Sequence, residues 1–400
     1  MTQNICIVGL GYVGLPLAHA FSAKYDVVGI DISEERIKEL ESGFDRTLEL
    51  SKEQMREALN NGIKFTTDYN DSKSCDIYIV TVPTPIKEGQ EPDLTPIIAS
   101  SESISRIINK NNIIIFESTV YPGVTEEVLV PILEKGSGYK FNEDFYCGYS
   151  PERINPGDKE HTITNTLKIT SGSTPEIAKV VNELYQSIIT VGTYSAPSIK
   201  VAEAAKVIEN IQRDVNIALI NELAIIFDLM DINTNEAIEA ASTKWNFIKL
   251  KPGLVGGHCI AVDPYYLSHK AQDLGYFPKL ILAAREINNG MSKLITDKTI
   301  KEMVASNKKI KGSKVLILGI SFKANCPDTR NSKVFDIIKQ LKDFECTVDV
   351  YDYLVNKNNE EMKNIKLLGE MPLCSKEYDA IIVCCEHEKF KELNMKDYES

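Results

Sequence analysis

The segment ICIVGLGYVGLP, residues 5–16, decides the fold of the first part of the chain. Gly9, Gly11 and Gly14 form the spacing G-x-G-x-x-G between an apolar strand-like run and a helix-like run from Val13. In that context the glycines allow a tight turn and a close backbone approach, so a pyrophosphate can lie at the N-terminus of the helix. The alternative is a glycine turn that serves only helix–sheet packing.

Asp31 ends the next strand-like run, DVVGID, about 20 residues beyond the glycine turn. An acidic side chain at that point accepts hydrogen bonds from a ribose 2′-hydroxyl and repels the 2′-phosphate of NADP. The pattern therefore predicts NAD as the cofactor. The alternative is that Asp31 only caps the helix that starts near Glu34.

Strand-like and helix-like runs continue to alternate beyond this segment, which predicts a parallel sheet with crossover helices. The further strands are expected at residues 75–82, 113–119, 145–150, 167–173 and 188–193. From Ser198 to Met230 the chain has no Gly or Pro and predicts one long helix, of the kind that joins domains or forms an oligomer interface. After Lys311 the α/β pattern returns, and Asp352 ends a strand much as Asp31 does. We therefore predict the α/β class, with two Rossmann-like domains of parallel-rich sheets joined by a central helical domain.

The bulk composition excludes several classes of protein. The chain has 400 residues, more than one core usually organises, and a net charge of -12 that leaves no diffuse basic surface for nucleic acid. No apolar run approaches the roughly 20 residues that span a bilayer, and no signal-peptide pattern is present, so we expect a cytoplasmic protein without a membrane partner. The cysteines are scattered without a CxxC pair, which predicts no metal site.

A turn-rich stretch, PGLVGGHCIAVDP at residues 252–264, interrupts the second helical region. Cys259 follows two glycines and precedes Asp263-Pro264, where we expect Asp as the N-cap and Pro as the first helical residue. A position near a helix N-terminus favours the thiolate, and the glycines leave room for a substrate carbon. From spacing alone, a structural cysteine and a plain helix cap are the commoner alternatives.

Seven ordered motifs cover nearly the whole chain: GLGYVGLP at 9–16, VPTP at 82–85, EST at 117–119, SPER at 150–153, EAAKVIEN at 203–210, PGLVGGHCIAVDPYYL at 252–267 and SFKANCPDTRNSK at 321–333. Together they resemble the UDP-glucose/GDP-mannose dehydrogenase family. The resemblance is fullest to members that oxidise UDP-N-acetylhexosamines, GlcNAc or GalNAc, for bacterial surface polysaccharides. It implies an NAD-dependent four-electron oxidation of the sugar 6-hydroxyl to a uronic acid through a cysteine thiohemiacetal and thioester.

The resemblance also implies the domain organisation. We expect an NAD-binding Rossmann domain at 1–196, a central helical dimerisation domain carrying the Cys loop at 197–307, and a UDP-sugar-binding Rossmann-like domain at 308–400. A homodimer is expected to form through the long helix. The chain ends at Ser400, before the strand that usually follows in the family, so the third domain is expected to be truncated.

The same resemblance assigns roles to individual residues. The expected catalytic residues are the nucleophile Cys259, the oxygen-polarising pair Lys206 and Asn210, the hydrolytic base Glu152, and the positioning groups Thr119 and Asp263. The expected cofactor contacts are Gly9, Gly11, Tyr12, Val13, Gly14, Asp31, Arg36, Pro83, Thr84, Thr119 and Arg330. The expected substrate contacts are Glu152, Arg153, Lys206, Asn210, Gly256, Gly257, His258 and Lys323.

The long helix supports part of this assignment independently. Lys206 and Asn210 are four residues apart and would share one helix face, with Asp214 one turn further. Without the resemblance, a solvated polar stripe is the first interpretation of these residues.

One departure from the family affects hydrolysis. Many members carry a second Glu where this chain has Pro156, so water activation is expected to depend on Glu152 with Thr119, or on another group. The alternative for Glu152 is a surface ion pair with Arg153 or Lys159.

Several functional alternatives remain open at this point. Within the family, the substrate is alternatively UDP-glucose or UDP-N-acetylmannosamine. Outside it, a hydroxyacid or 6-phosphogluconate type of dehydrogenase shares the Rossmann domain and long helices but needs no thiol. A catalytically silent NAD-binding protein is the alternative from a different class.

Overall fold

The computed structural model describes residues 3–87, 89–154, 162–257, 260–355, 360–372 and 377–393. The chain divides into two compact units: Met1–Glu209 with Tyr265–Gly275, and Asn210–Pro264 with Tyr276–Ser400. The division into three domains expected from the sequence stays a prediction.

The described strands are β1 (Asn4–Val8), β2 (Asp26–Ile30), β3 (Lys64–Thr66), β4 (Ile77–Val80), β5 (Ile113–Phe116), β6 (Tyr146–Tyr149), β7 (Lys168–Thr170), β8 (Thr193–Ser195), β9 (Lys314–Leu318), β10 (Thr347–Tyr351), β11 (Lys366–Leu367) and β12 (Ala380–Val383). The described α-helices are α1 (Gly14–Ser22), α2 (Glu34–Glu41), α3 (Lys52–Asn60), α4 (Thr95–Ser105), α5 (Val130–Ser137), α6 (Pro175–Gln186), α7 (Ile199–Leu229), α8 (Thr234–Ala241), α9 (Asp263–Asp273), α10 (Lys279–Ala305), α11 (Val334–Asp343) and α12 (Glu388–Lys391).

The first unit contains a six-stranded parallel sheet in the order β3-β2-β1-β4-β5-β6. This is the order of a doubly wound dinucleotide-binding fold. Its central strands are continuous apolar runs because helices cover both faces of the sheet. Ile5 and Ile7 of β1 belong to one buried cluster, and Cys6 and Val8 belong to the other. The carboxyl ends of the parallel strands therefore lie along one edge, where the glycine turn, Asp31 and Glu117 follow them.

The second unit contains a four-stranded parallel sheet in the order β11-β10-β9-β12. Its amphipathic helix α11 buries Val334, Ile337, Ile338 and Leu341 in the same apolar cluster as Val315 and Ile317 of β9. The predicted class, α/β with two parallel-rich Rossmann-like sheets and one long central helix, is confirmed.

One predicted strand is misplaced. Residues 188–193 were expected to be extended, but β8 begins only at Thr193. The backbone N–H groups of Ile188 and Ile189 both donate to the carbonyl of Tyr185, so these residues belong to the turn that ends α6. Their hydrophobicity reflects burial in that turn, at 8% and 5% exposure, and not a strand.

Two findings concern the described residues only. None of their helices is both long enough and apolar enough to cross a membrane. None of their His, Cys, Asp and Glu side chains gather in a group that could hold a metal ion.

Candidate active site

The glycine turn between β1 and α1 has the geometry of a dinucleotide cradle. Gly9 adopts a φ of +95°, which favours glycine, and its N–H donates to the carbonyl of Ile30 at 2.8 Å. A Cβ on Gly14 would lie 1.8 Å from the carbonyl oxygen of Gly9, so only glycine allows this close contact. At Gly11, by contrast, an added Cβ would meet no atom within 4 Å.

The start of α1 has no side-chain cap, although the N–H of Leu15 donates to the carbonyl of Gly11 at 3.3 Å. Val13, at the N-cap position, makes no side-chain capping hydrogen bond. The first backbone N–H groups of a helix have no partner inside the helix and attract an anion. Together with the open space at Gly11, they fit the pyrophosphate of a dinucleotide.

Asp31 is fixed beside this turn. One carboxylate oxygen accepts the N–H of Leu10 at 3.0 Å, and the other accepts the N–H of Ser33 at 2.9 Å. Each oxygen has a second lone-pair position for a ribose hydroxyl. The alternative that Asp31 only caps the next helix describes only part of this geometry, because Asp31 also accepts the N–H of Leu10 in the glycine turn.

Arg36 is buried, and its guanidinium is occupied by the protein. Its Nε donates to the carbonyl of Leu10 at 3.0 Å, and its terminal nitrogens contact Glu39 and Asp45. Arg36 therefore supports the glycine turn from behind, and a direct cofactor contact stays a prediction. In the loop after β4, Pro83 is exposed and Thr84 is half-buried.

Glu152 lies in a buried ion cluster, with Lys168 between two carboxylates. The Lys168 ammonium is 2.7 Å from Glu152 Oε2 and 2.8 Å from Glu117 Oε2. Tyr185 donates its hydroxyl hydrogen to the other oxygen of Glu117. The backbone N–H groups of Arg153 and Ile154 donate to Glu152 Oε1 at 2.7 and 2.8 Å. Glu152 is only 7% exposed, so the surface ion pair considered above is wrong as far as the described residues go.

Arg153 has a different partner. Its guanidinium lies 2.8 Å from a carboxylate oxygen of Glu209 and donates to the carbonyl of Leu167 at 3.0 Å. The other pairing considered for Glu152, with Lys159, falls outside the described residues, as does Pro156. Thr119 follows β5 and is half-buried.

The two carboxyl groups of the cluster differ in proton affinity. Burial alone would raise the pKa of Glu152, but the charge and hydrogen bond of Lys168, with the two backbone donors, lower that pKa below its ordinary value. The pKa of Glu117 is raised, mainly by burial and also by the negative charge of Glu152. The attraction of Lys168 offsets only part of this increase. Glu152 therefore gives up its proton more readily than Glu117 does.

Sequence reasoning missed Lys168 and Tyr185. A lysine at the start of a strand is usually solvated, and a tyrosine in a helix gives no sign of a buried carboxylate partner. Every residue of β7 is buried, and Lys168 is only 2% exposed, so no alternation along the strand could have indicated this lysine.

Lys206, Asn210 and Asp214 of α7 are buried, so their interpretation as a solvated polar stripe is wrong. Lys206 and Asn210 are each 8% exposed, and Asp214 is 0% exposed. No hydrogen bond or ion pair joins the Lys206 ammonium to another described residue. Asn210 donates its amide hydrogen to Asp263 Oδ2, which places these two predicted residues together.

Asp214 has a structural partner. Arg285 of α10 lies 2.6 Å from Asp214 Oδ1, and Asn288 donates to the same oxygen at 2.7 Å. Asn288 also accepts a hydrogen bond from Asn221 at 2.8 Å, and Asn221 pairs with both the N–H and the carbonyl of Gly253. This buried chain of polar groups holds the start of the Cys loop, and no motif indicated it.

His258 and Cys259 lie outside the described residues, so the nucleophile assignment stays a prediction. The glycines before them are required by packing. A Cβ on Gly256 would lie 2.7 Å from the carbonyl oxygen of Asn331, and one on Gly257, which has a φ of +81°, would lie 2.7 Å from the Phe322 ring. These glycines therefore accommodate the 321–332 loop of the same unit. α9 begins at Asp263, one residue before the expected start at Pro264.

The 321–332 loop carries the predicted nucleotide contacts. Lys323 and Arg330 are exposed, and Arg330 makes a two-pronged contact with Asp328, at 2.5 Å for the closest pair. Asp352 follows β10 and accepts the N–H groups of Ile320 and Ser321 at 2.9 and 3.2 Å. Asp352 thus holds the turn after β9 as Asp31 holds the turn after β1, although the second turn lacks the glycine fingerprint.

Comparisons with known proteins agree with this geometry. The chain matches three domain descriptions of the UDP-glucose/GDP-mannose dehydrogenase family: the NAD binding domain at residues 3–189, the central domain at 200–290 and the UDP binding domain at 316–400. It is 52% identical to the UDP-N-acetyl-D-glucosamine 6-dehydrogenase of Salmonella typhi, over 98% of this chain and 92% of the relative. It is 53% identical to the enzyme of the same name from Pseudomonas aeruginosa, over 98% and 93%.

A solved structure is also similar. The UDP-D-ManNAc dehydrogenase of Pyrococcus horikoshii matches with a TM-score of 0.88 and 31% identity, over 99% of this chain and 92% of that one. The chain therefore belongs to the UDP-glucose/GDP-mannose dehydrogenase family, and it is an NAD-dependent nucleotide-sugar dehydrogenase.

Proposed function

We propose that this enzyme oxidises the 6-hydroxyl of UDP-N-acetylglucosamine to the uronic acid, with two NAD per sugar. The observation that carries the substrate assignment is the identity of 52% and 53%, over 98% of the chain, to relatives named UDP-N-acetyl-D-glucosamine 6-dehydrogenase. The epimer at carbon four depends on one or two hydrogen bonds in the sugar pocket. UDP-N-acetylgalactosamine is therefore the first competitor to test.

The first oxidation needs a hydride acceptor and a group that handles the hydroxyl proton. NAD supplies the acceptor when it is bound at the glycine turn. Lys206, which is buried and has no partner among the described residues, assists removal of the proton directly or through water.

The second oxidation proceeds on the enzyme. Cys259 attacks the aldehyde carbon to form a thiohemiacetal. The thiohemiacetal becomes a thioester by losing its hydroxyl proton and a hydride, for which a second NAD bound at the glycine turn would be the acceptor. Lys206 and Asn210, four residues apart on α7, stabilise the negative oxygen of the tetrahedral species. Asp263 orients Asn210 through the hydrogen bond between them.

Hydrolysis of the thioester completes the reaction. A water molecule attacks the thioester carbon, its proton passes to Glu152, and the Cys259 sulfur leaves. Thr119 assists in positioning the water. Covalent capture on Cys259 keeps the aldehyde on the enzyme between the two oxidations.

We further propose a homodimer that forms through α7. Its apolar residues Val201, Ile208, Leu219 and Ile226 are 42–58% exposed and are spaced seven, eleven and seven residues apart, which places them on one helix face. Analytical ultracentrifugation should give twice the chain mass, and Ile208→Glu with Leu219→Glu should give the monomer. A monomeric wild-type enzyme would contradict the dimer.

The cytoplasmic location expected from the sequence stays a prediction.

A panel of UDP-sugars tests the proposed function. NADH and uronic acid are counted together with UDP-N-acetylglucosamine, UDP-N-acetylgalactosamine, UDP-N-acetylmannosamine and UDP-glucose as substrates. We expect two NADH per sugar and the highest kcat/KM for UDP-N-acetylglucosamine. One NADH per sugar would favour a two-electron dehydrogenase, and no NADH would favour a catalytically silent NAD-binding protein. A higher kcat/KM for UDP-glucose would place the enzyme in another subgroup of the family.

A further inference from the structure

The buried cluster around Lys168 has more charge than a structural pair needs. Lys168 is 2% exposed and contacts two carboxylates, of Glu117 and Glu152, that are 3% and 7% exposed. Burying an ammonium and two carboxylates is costly, and an apolar core of the same volume is often no less stable. A cluster of this kind therefore calls for a role other than stability.

The hydrogen bonds of Glu152 from the described residues leave one lone-pair position of its carboxylate unoccupied. A carboxylate has about four lone-pair positions. Both positions on Oε1 accept backbone N–H groups, from Arg153 and Ile154, and one position on Oε2 accepts the Lys168 ammonium. The remaining position on Oε2 has no donor among the described residues. A water molecule that gives its proton to Glu152 must therefore approach Oε2, the oxygen that Lys168 holds.

Among the described residues, Lys168 is the one charged side chain that pairs with Glu152. Lys168 of β7 contacts it directly, Glu117 after β5 lies on the far side of Lys168, and Tyr185 of α6 contacts Glu117. The Arg153 guanidinium is paired with Glu209. Lys168 is therefore the cation that sets both the charge state and the orientation of Glu152.

We propose that Lys168 is a positioning residue for thioester hydrolysis: it holds Glu152 ionised and turned so that only Oε2 is open to the attacking water. The inference rests on the proposed function, which makes Glu152 the base. Lys168 takes up or releases no proton in the step. The water proton moves to Glu152 Oε2, the oxygen–carbon bond forms, and the carbon–sulfur bond breaks.

The test compares Lys168→Met, Glu152→Gln and the double variant with UDP-N-acetylglucosamine and NAD. We expect Lys168→Met to keep a rapid NADH burst, to accumulate a sugar adduct on Cys259 by mass spectrometry, and to lose roughly 10- to 150-fold in steady-state rate, the range for a hydrogen bond to a charged group. The double variant should be no slower than Glu152→Gln within about twofold, because Lys168 acts through Glu152. Lys179→Met, which removes an exposed lysine of α6, should match the wild type.

The pH profile separates this role from a structural one. Lys168 lowers the pKa of Glu152, so the wild-type base is already ionised across the neutral range. Without that cation the pKa of Glu152 rises, and steady-state turnover of Lys168→Met should climb with pH where the wild type is flat. Lys168→Arg, which restores the cation, should recover part of the flat profile.

Distinct outcomes would overturn the inference and the proposed function. The inference is wrong if the folded Lys168→Met variant shows no NADH burst or has a steady-state rate that does not change with pH. It is also wrong if the double variant is much slower than Glu152→Gln alone. The role of Glu152 is wrong if Glu152→Gln itself shows neither burst nor adduct. If Lys168→Met does not fold, Lys168→Gln with Glu117→Gln removes one charge of each sign and is measured by the same criteria.

Discussion

Gly14→Ala should damage both folding and cofactor binding, because no space exists for one methyl group. The new Cβ would lie 1.8 Å from the carbonyl oxygen of Gly9 and 2.4 Å from Thr81 Oγ1. Since Cβ atoms essentially never approach a neighbour within 3.0 Å, the backbone must move by at least 1.2 Å. That movement also breaks the 2.7 Å hydrogen bond from Thr81 to Gly9.

The expected loss is about 1–3 kcal/mol for overpacking and about 1 kcal/mol for the hydrogen bond, or roughly 2–4 kcal/mol of unfolding free energy. In a unit of this size, the melting temperature should fall by about 5–15 °C. Displacing the helix N-terminus by an ångström should weaken NAD binding by about 100-fold or more. Differential scanning fluorimetry and NAD titration measure the two effects.

Gly11→Ala is the matched control, because its Cβ would meet no protein atom within 4 Å. Its stability should change by less than about 0.5 kcal/mol, while NAD binding weakens because the methyl group projects into open space beside the turn. A Gly14→Ala variant with wild-type melting and wild-type NAD affinity would refute the packing argument. A strongly destabilised Gly11→Ala would show that the two glycines do not differ as the structure requires.

Three further predictions concern other parts of the chain. Cys259→Ser should lose on the order of a thousandfold or more in turnover, with NAD binding little changed, because a hydroxyl is a poor nucleophile at neutral pH; near-normal production of two NADH per sugar would exclude the thioester. Asp31→Asn should raise the KM for NAD by roughly 10- to 150-fold and narrow the preference over NADP, and comparable kcat/KM for both cofactors in the wild type would contradict the Asp31 assignment. Arg285→Leu should lower the unfolding free energy by about 3–5 kcal/mol at pH 8, because it leaves the Asp214 carboxylate buried without its cation. Burial already raises the pKa of Asp214, so the folded state can hold this carboxyl group in its protonated, uncharged form. The loss of unfolding free energy, measured by urea unfolding, should therefore be smaller at pH 5 than at pH 8. An equal loss at both pH values would show that the loss does not come from an unpaired Asp214 carboxylate.

Local patterns in the sequence predicted the fold class and much of the nucleotide cradle. The glycine spacing after β1 and the acid after β2 depend on neighbours within about 30 residues, and backbone sterics dictate them. The long helix was predicted over 198–230 and found at Ile199–Leu229, because an uninterrupted run without Gly or Pro has few alternatives. The prediction of a strand at 188–193 was wrong, because a short apolar run in the sequence does not distinguish a strand from a buried turn.

The sequence by itself determined the α/β class, the position of the glycine cradle, the acid at Asp31, and the motifs that place the chain in its family. Only the tertiary structure decided which partners the charged residues take. Glu152 pairs with Lys168, 16 residues away, and Glu117 with the same lysine, 51 residues away. Asn210 meets Asp263, and Asp214 meets Arg285, although all four read equally well as surface residues. The reason is physical: hydrophobic periodicity reports which face of an element is buried, but the partner of a buried charge is set by chain segments that only folding brings together.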